Sequence, residues 1–199
     1  MNLKENISRI KQVMGILVEQ SFSEQVKNEV EELFNEIPKL SSIGTPKQYY
    51  EYLNTIFPNS KVKGIFYHSS TEKIEKFRDA MFGIYFSYSP MPYNYGGVVN
   101  KAILNIQNPL VIPKPEDSRE TKETYLKEYR TYLNPISFSP KGEAIYKYDG
   151  SIESSSVTKE GAQVRVRNSN QIHILGNEND IIGFKNYVNE KTPTIKIGV

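Results

Sequence analysis

The chain has 199 residues, 38% hydrophobic and 24% charged, enough for one ordinary core and too few for two. Its net charge of +2 comes from scattered Lys and Arg, so the charge balance requires neither nucleic acid nor a membrane surface as a partner. With no cysteine and only His68 and His173 as imidazoles, disulfides, thiol nucleophiles and thiolate-held metal are excluded.

No apolar run reaches the length of a membrane span, and the start, MNLKENISRIKQ, is charged where a signal peptide is apolar. The expectation is a cytoplasmic protein with no membrane partner. Ile7, Ile10, Met14 and Leu17 lie at helical spacing, and Val26, Val30, Leu33, Phe34 and Ile37 repeat it with Ser23 as N-cap and Pro38 as the stop. Thr45-Pro46-Lys47-Gln48 has the form of a capping box with proline at the first helical position. It opens a helix through Tyr49, Tyr52, Leu53 and Ile56 that ends at Pro58. Residues 1–60 are thus expected to form a helical segment packed on a main domain at 61–199.

From residue 62 short apolar runs broken by Gly, Pro, Asn and Ser replace the helical pattern. Strands are expected over 62–67, 83–88 and 101–106, with 110–112 continuing past the Asn108-Pro109 break. Residues 116–133 read as a helix carrying Tyr125, Tyr129, Tyr132 and Leu133 on one face. Later strands fall at 143–152 and 163–175, the second alternating through Val164, Val166, Ile172 and Ile174. The Ser154-Ser155-Ser156 stretch between them is a loop. Together these elements give an α+β class without internal repeats.

Three segments embed polar groups in strand-like apolar runs. In Gly64-Ile65-Phe66-Tyr67-His68-Ser69-Ser70 a histidine leaves a strand, where an imidazole commonly satisfies itself with two hydrogen bonds. Gly83-Ile84-Tyr85-Phe86-Ser87-Tyr88-Ser89 runs into Tyr93-Asn94-Tyr95-Gly96-Gly97, and such tyrosines usually pack. The third segment joins Tyr148-Asp149-Gly150-Ser151-Ile152 to Gln163-Val164-Arg165-Val166-Arg167, followed by Asn168-Ser169-Asn170-Gln171-Ile172. Arg165 and Arg167 read as the solvated face of a strand, with anion contact the alternative.

In this order the segments resemble the ADP-ribosyltransferase superfamily, in its histidine-tyrosine-glutamate branch of diphtheria toxin and poly(ADP-ribose) polymerase. The nearer resemblance is to ADP-ribosyltransferase domains of phages and polyvalent mobile-element proteins, carried by YGGVVNKAILNIQNPLVI, YDGSI and NSNQIHIL. It covers residues 62 to 175. The resemblance implies two packed, mostly antiparallel sheets with flanking helices and NAD⁺ as substrate without a metal. His68 would orient the dinucleotide through ribose hydroxyls, and the small Ser69 would let the backbone meet the nicotinamide carboxamide. Tyr85 would lie under the nicotinamide, Tyr95, or else Tyr93, above it, and Ser87 in the same wall. A cationic pyridinium between two π faces gains a few kcal/mol by stacking and cation–π attraction.

The family glutamate falls on Gln163, which keeps the acceptor and the shape but not the charge that stabilises an oxocarbenium-like ribose. Three readings follow: a natural enzyme using another residue, a natural binding module, or a deliberate Glu-to-Gln change in a toxic enzyme. The last is favoured, because the rest of the signature is intact and the two side chains are isosteric. Gly161 stands two residues earlier, so the Glu-x-Glu or Gln-x-Glu pattern of arginine-modifying relatives is absent, and 153–162 occupies the place of the target-recognition loop. The activity implied is transfer of ADP-ribose to a protein or nucleic acid. Alternatives are an NAD⁺ glycohydrolase or a non-catalytic module, and the resemblance implies as partners an antitoxin or a phage or host assembly, in the host cytoplasm if a phage encodes the chain.

Overall fold

The computed structural model describes residues 26–90, 97–112, 119–153 and 163–191. The expected helix at 7–17, the Ser23 cap, Tyr93, Tyr95 and the serine loop lie outside them. Helix α1 (26–36) stops short of Pro38, which restarts the chain as the single turn α2 (Pro38–Ser41), at a position where its missing N–H costs nothing. Helix α3 (Pro46–Ile56) opens with the complete capping box that the spacing predicts. Thr45 Oγ1 accepts from Gln48 N, and Gln48 Oε1 accepts from Thr45 N at 2.9 Å.

Strands β1 (Phe66–Ser70), β2 (Ile84–Ser87), β3 (Val98–Leu104) and β4 (Pro109–Ile112) precede helix α4 (Arg119–Leu133). The short strands β5 (Ser137–Phe138) and β6 (Ala144–Ile145) follow. Next come β7 (Gly150–Glu153), β8 (Gln163–Val166), β9 (Ile172–Ile174) and helix α5 (Glu178–Lys191). Seven strands form one sheet in the order β4-β7-β8-β2-β1-β3-β9, with β5 and β6 as a separate ribbon. Every pair is antiparallel except β4 with β7. The α+β class is observed, but among the described residues one large sheet and a small ribbon stand in place of two packed sheets. The reason lies in β1, which pairs with β3 along its whole length and with β2 at Tyr67↔Ser87 alone. That single pair joins what would otherwise be two sheets.

Several boundaries move for identifiable reasons. The strand expected from residue 62 begins at Phe66. Val62 and Ile65 are buried in the approach to it, where Ser60 Oγ donates to Leu104 O and accepts from Ile106 N. The run at 143–152 is broken into β6 and β7 by a turn whose Asp149 carboxylate accepts from Gln107 N and Asn108 N. The run at 163–175 is broken by a 3₁₀ turn (Ser169–Gln171). Its Gln171 accepts from Arg167 N and Asn168 N and donates to Asn105 O and Asp149 O. Thus YDGSI and NSNQI hold neighbouring turns together.

Helix α5 was not anticipated by periodicity. Asn177 Oδ1 caps it by accepting from Asp180 N, and Glu178 and Asp180 place acidic groups in its first turn. One face of the sheet packs on α1, α3 and α5 through Tyr67, Ile65 and Leu175 with Val30, Leu33, Tyr49, Leu53 and Phe184. The opposite face buries Phe66, Phe86, Ala102, Leu104, Val164 and Val166 with Phe77. Among the described residues no helix is long and apolar enough to cross a membrane.

Candidate functional site

The three polar segments lie on β1, β2 and β8, which are neighbours in the sheet. Residues directly opposite each other across a ladder project to the same face. The pairs Tyr67↔Ser87, Ser87↔Gln163 and Tyr85↔Arg165 therefore put Ser69, Tyr85, Ser87, Gln163 and Arg165 on one face. His68 points to the other. Its ring meets Phe77 edge-on, with centroids 5.0 Å apart, and lies 5.5 Å from the ring of Phe86.

His68 and Tyr85 are nevertheless joined. Beyond Tyr67↔Ser87 the β1–β2 ladder stops, and His68 Nδ1 lies 2.8 Å from the Tyr85 carbonyl oxygen. A carbonyl only accepts, so Nδ1 is the donor in this bond and Nε2 is the ring nitrogen left to meet a ligand. The imidazole thus bridges the gap where the sheet nearly divides.

Gln163 is partly buried at the first position of β8, opposite Ser87 on one side and Glu153 on the other. Ser69 lies in β1 opposite Val99. The Ser87 hydroxyl is buried, 2.6 Å from Ser89 O as donor and 3.3 Å from Tyr67 O, so it closes the end of β2. Tyr85 is 41% exposed and follows the open turn residues Met81 and Phe82. Tyr95 and the loop at 154–162 lie outside the described residues.

The reading of Arg165 as a solvated residue is overturned. It is 3% exposed, because β8 runs between β7 and β2 and its neighbouring rings come from β2 and α4. Its Nε donates to Ser151 Oγ at 3.2 Å and its Nη1 to the Tyr85 phenol at 2.7 Å. The guanidinium carbon lies 5.1, 5.8 and 4.6 Å from the ring centroids of Tyr85, Tyr129 and Tyr132. Tyr129 and Tyr132 are themselves stacked, 10° from parallel. Arg167 is only partly buried, over Tyr132 and Tyr146 at 4.4 and 3.7 Å, and its Nε donates to Tyr148 O. Burial lowers its pKa, while burial pushes the Tyr132 phenol up, so the ring faces both guanidinium groups in neutral form. The aromatic stripe of α4 and the Arg alternation of β8 were each legible separately. Their meeting depends on tertiary packing.

A second polar cluster escaped the sequence. Asp180, fully buried, accepts from Tyr49 Oη at 2.5 Å and Gly176 N at 2.7 Å, and lies 2.7 Å from His173 Nε2. It ties α3, β9 and α5 together. Among the described residues no three His, Cys, Asp or Glu side chains are grouped to hold a metal ion. The chain matches no protein-family profile, no curated protein and no solved structure.

Proposed function

We propose that this chain has the ADP-ribosyltransferase fold, binds NAD⁺ at the β1–β2–β8 region, and belongs to a system that transfers ADP-ribose to a macromolecular acceptor. The observation that carries the reading is the convergence of the three resembling segments on adjacent strands at the one-pair β1–β2 junction. His68 contributes Nε2 as an acceptor for a ribose hydroxyl, oriented by the bond from Nδ1 to Tyr85 O. Tyr85 contributes an exposed ring for the nicotinamide. In the transfer, the bond from the ribose anomeric carbon to the nicotinamide nitrogen breaks, its electron pair stays on nitrogen, and the positive charge passes to the ribose, until a nucleophilic atom of the acceptor bonds that carbon and gives up its proton to solvent. Gln163 can accept from a hydroxyl there but supplies no negative charge to that cation. The chain with glutamine at this position is therefore read as a binder whose turnover is impaired.

Calorimetry with NAD⁺ tests the binding half. The chain should bind, and Tyr85→Ala should abolish binding while circular dichroism shows the fold kept. Gln163→Glu, incubated with biotinylated NAD⁺ and lysate, should label material that protease or nuclease then removes. No NAD⁺ binding by either the chain or Gln163→Glu would overturn the reading. Nicotinamide release unaffected by lysate would redirect it to a glycohydrolase, and binding without release by Gln163→Glu to a non-catalytic module.

A further inference from the structure

Arg165 is a cation sealed among tyrosines. Its guanidinium is always protonated, yet no carboxylate lies within ion-pair distance of it among the described residues. Its Nη2 is buried without a hydrogen-bond partner. Of the three rings around it, Tyr132 is buried and Tyr129 half-buried, whereas Tyr85 is 41% exposed. The charge therefore reaches a ligand mainly through Tyr85, whose phenol it also holds at 2.7 Å.

A ring that already carries a cation over one face is a poor platform for a second. Arg165 stands 5.1 Å from the Tyr85 centroid, and a ring stacked on the far side adds about 3.5 Å. Two unit charges would then be about 9 Å apart across a tyrosine instead of water, at an effective dielectric near 20. With the exposed rim screened by solvent, this disfavours a cationic ring relative to a neutral one by on the order of tenfold. The neutral ring keeps its stacking.

We infer that Arg165 is a specificity-determining residue that makes the exposed face of Tyr85 select uncharged aromatic rings over cationic ones. For the chemistry, the inference rests on the NAD⁺ reading. The nicotinamide ring is cationic while attached to ribose and neutral once the electron pair of the glycosidic bond has passed to its nitrogen. Arg165 thus opposes the bound ground state and favours the leaving group. Its repulsion outweighs the cation–π gain that the exposed Tyr85 ring alone would give a cationic ring.

Nicotinamide and 1-methylnicotinamide have the same ring and carboxamide and differ in charge, so their dissociation constants, taken by NMR titration of the intact chain, test the selection directly. Nicotinamide should bind tighter on the order of tenfold, and Arg165→Met, which keeps the unbranched stem, should bring the ratio to one or invert it toward the cation, because the cation–π attraction of Tyr85 is then unopposed. Arg165→Lys, which keeps the charge, should retain most of it. Equal affinities in the unaltered chain, a preference for the cation, absence of binding by both rings, or an unchanged ratio in folded Arg165→Met would each overturn the inference. If Arg165→Met does not fold, the ratio in the unaltered chain and in Arg165→Lys decides. Calorimetry with NAD⁺ separates the two levels: ring selection without dinucleotide binding sinks the proposed function alone, and dinucleotide binding without ring selection sinks this inference alone.

Discussion

Replacing Asp180 by alanine removes the common acceptor of three elements. Asp180 has no exposed surface; Tyr49 Oη and Gly176 N point at it from buried positions, and His173 Nε2 from a side chain 17% exposed. Each fully buried donor left without a partner costs about 1–3 kcal/mol, whereas His173 can turn toward water. Stranding Tyr49 and Gly176 therefore sums to about 4 kcal/mol, a large share of the ~5–15 kcal/mol that holds a domain folded. Asp180→Asn keeps one oxygen acceptor and should cost about half as much. Urea unfolding followed by far-UV circular dichroism gives the numbers, provided the slope with urea is unchanged between variants. Tyr49→Phe supplies the internal check: in the Asp180→Ala background it removes a stranded donor, so the double variant should be more stable than additivity gives. A loss below about 1 kcal/mol in Asp180→Ala, or strict additivity with Tyr49→Phe, would refute the reasoning.

Two further outcomes follow from the packing of the sheet. Burial, reinforced by Asp180 at Tyr49 and Tyr52 and by Glu29 at Tyr67, raises these three phenols above the ordinary tyrosine value. The unfolded chain then releases protons near pH 10 that the folded chain keeps, so stability is fully present below about pH 10 and is lost above it by about 4 kcal/mol per pH unit. Absorbance at the tyrosinate band should show these phenols titrating only together with unfolding, and their reversible titration in the folded protein would contradict this. Gly83 has a φ of +82°, and a Cβ there would stand 2.5 Å from Val166 O and 2.9 Å from Arg165 Cγ. Gly83→Ala should cost about 3 kcal/mol, from the left-handed backbone plus displacement of β8, seen as a lower thermal midpoint; a change within about 0.5 kcal/mol would show that β8 yields freely.

Local signals were legible wherever one element carries its own reason. The Thr45–Gln48 box, the stop before Pro38 and the strand at β2 need only neighbours in sequence. Helix α5 has its cap at Asn177 and acids in its first turn, but its buried side chains, Asp180 and Phe184, make no apolar stripe wide enough to read by period. Asp180 is the instructive case, since a carboxylate at that point reads as a surface charge until Tyr49 and His173 arrive from elsewhere. At the candidate site, alternation alone puts Tyr85 with Ser87 and turns His68 away from Tyr67 and Ser69, whereas Gln163 and Arg165 join the face of Tyr85 only through the register of β8 on β2. Arg165 was misread because alternation gives faces, not what covers them: both faces of an interior strand can be closed, and here Tyr129 and Tyr132 of α4 close the polar one.

The placement of Arg165 also bears on why the sheet is built as it is. A buried cation without a counter-charge is expensive, and an apolar side chain of similar length would hold β8 between β7 and β2 at less cost. Three tyrosines, one hydroxyl and one phenolic acceptor offset the charge only in part, since Nη2 stays unmatched. The strain on stability falls next to the weakest seam of the sheet, where β1 and β2 share one pair and an imidazole bridges the rest. A fold selected for stability alone would lengthen that ladder and neutralise that cation. Here the open seam, the exposed Tyr85 ring and the unmatched charge lie side by side, with stability supplied at a distance by Asp180 and the helical core. Such a division, a helical core on one half of a face and an exposed ring beside unsatisfied polar chemistry on the other, fits the ligand site proposed above.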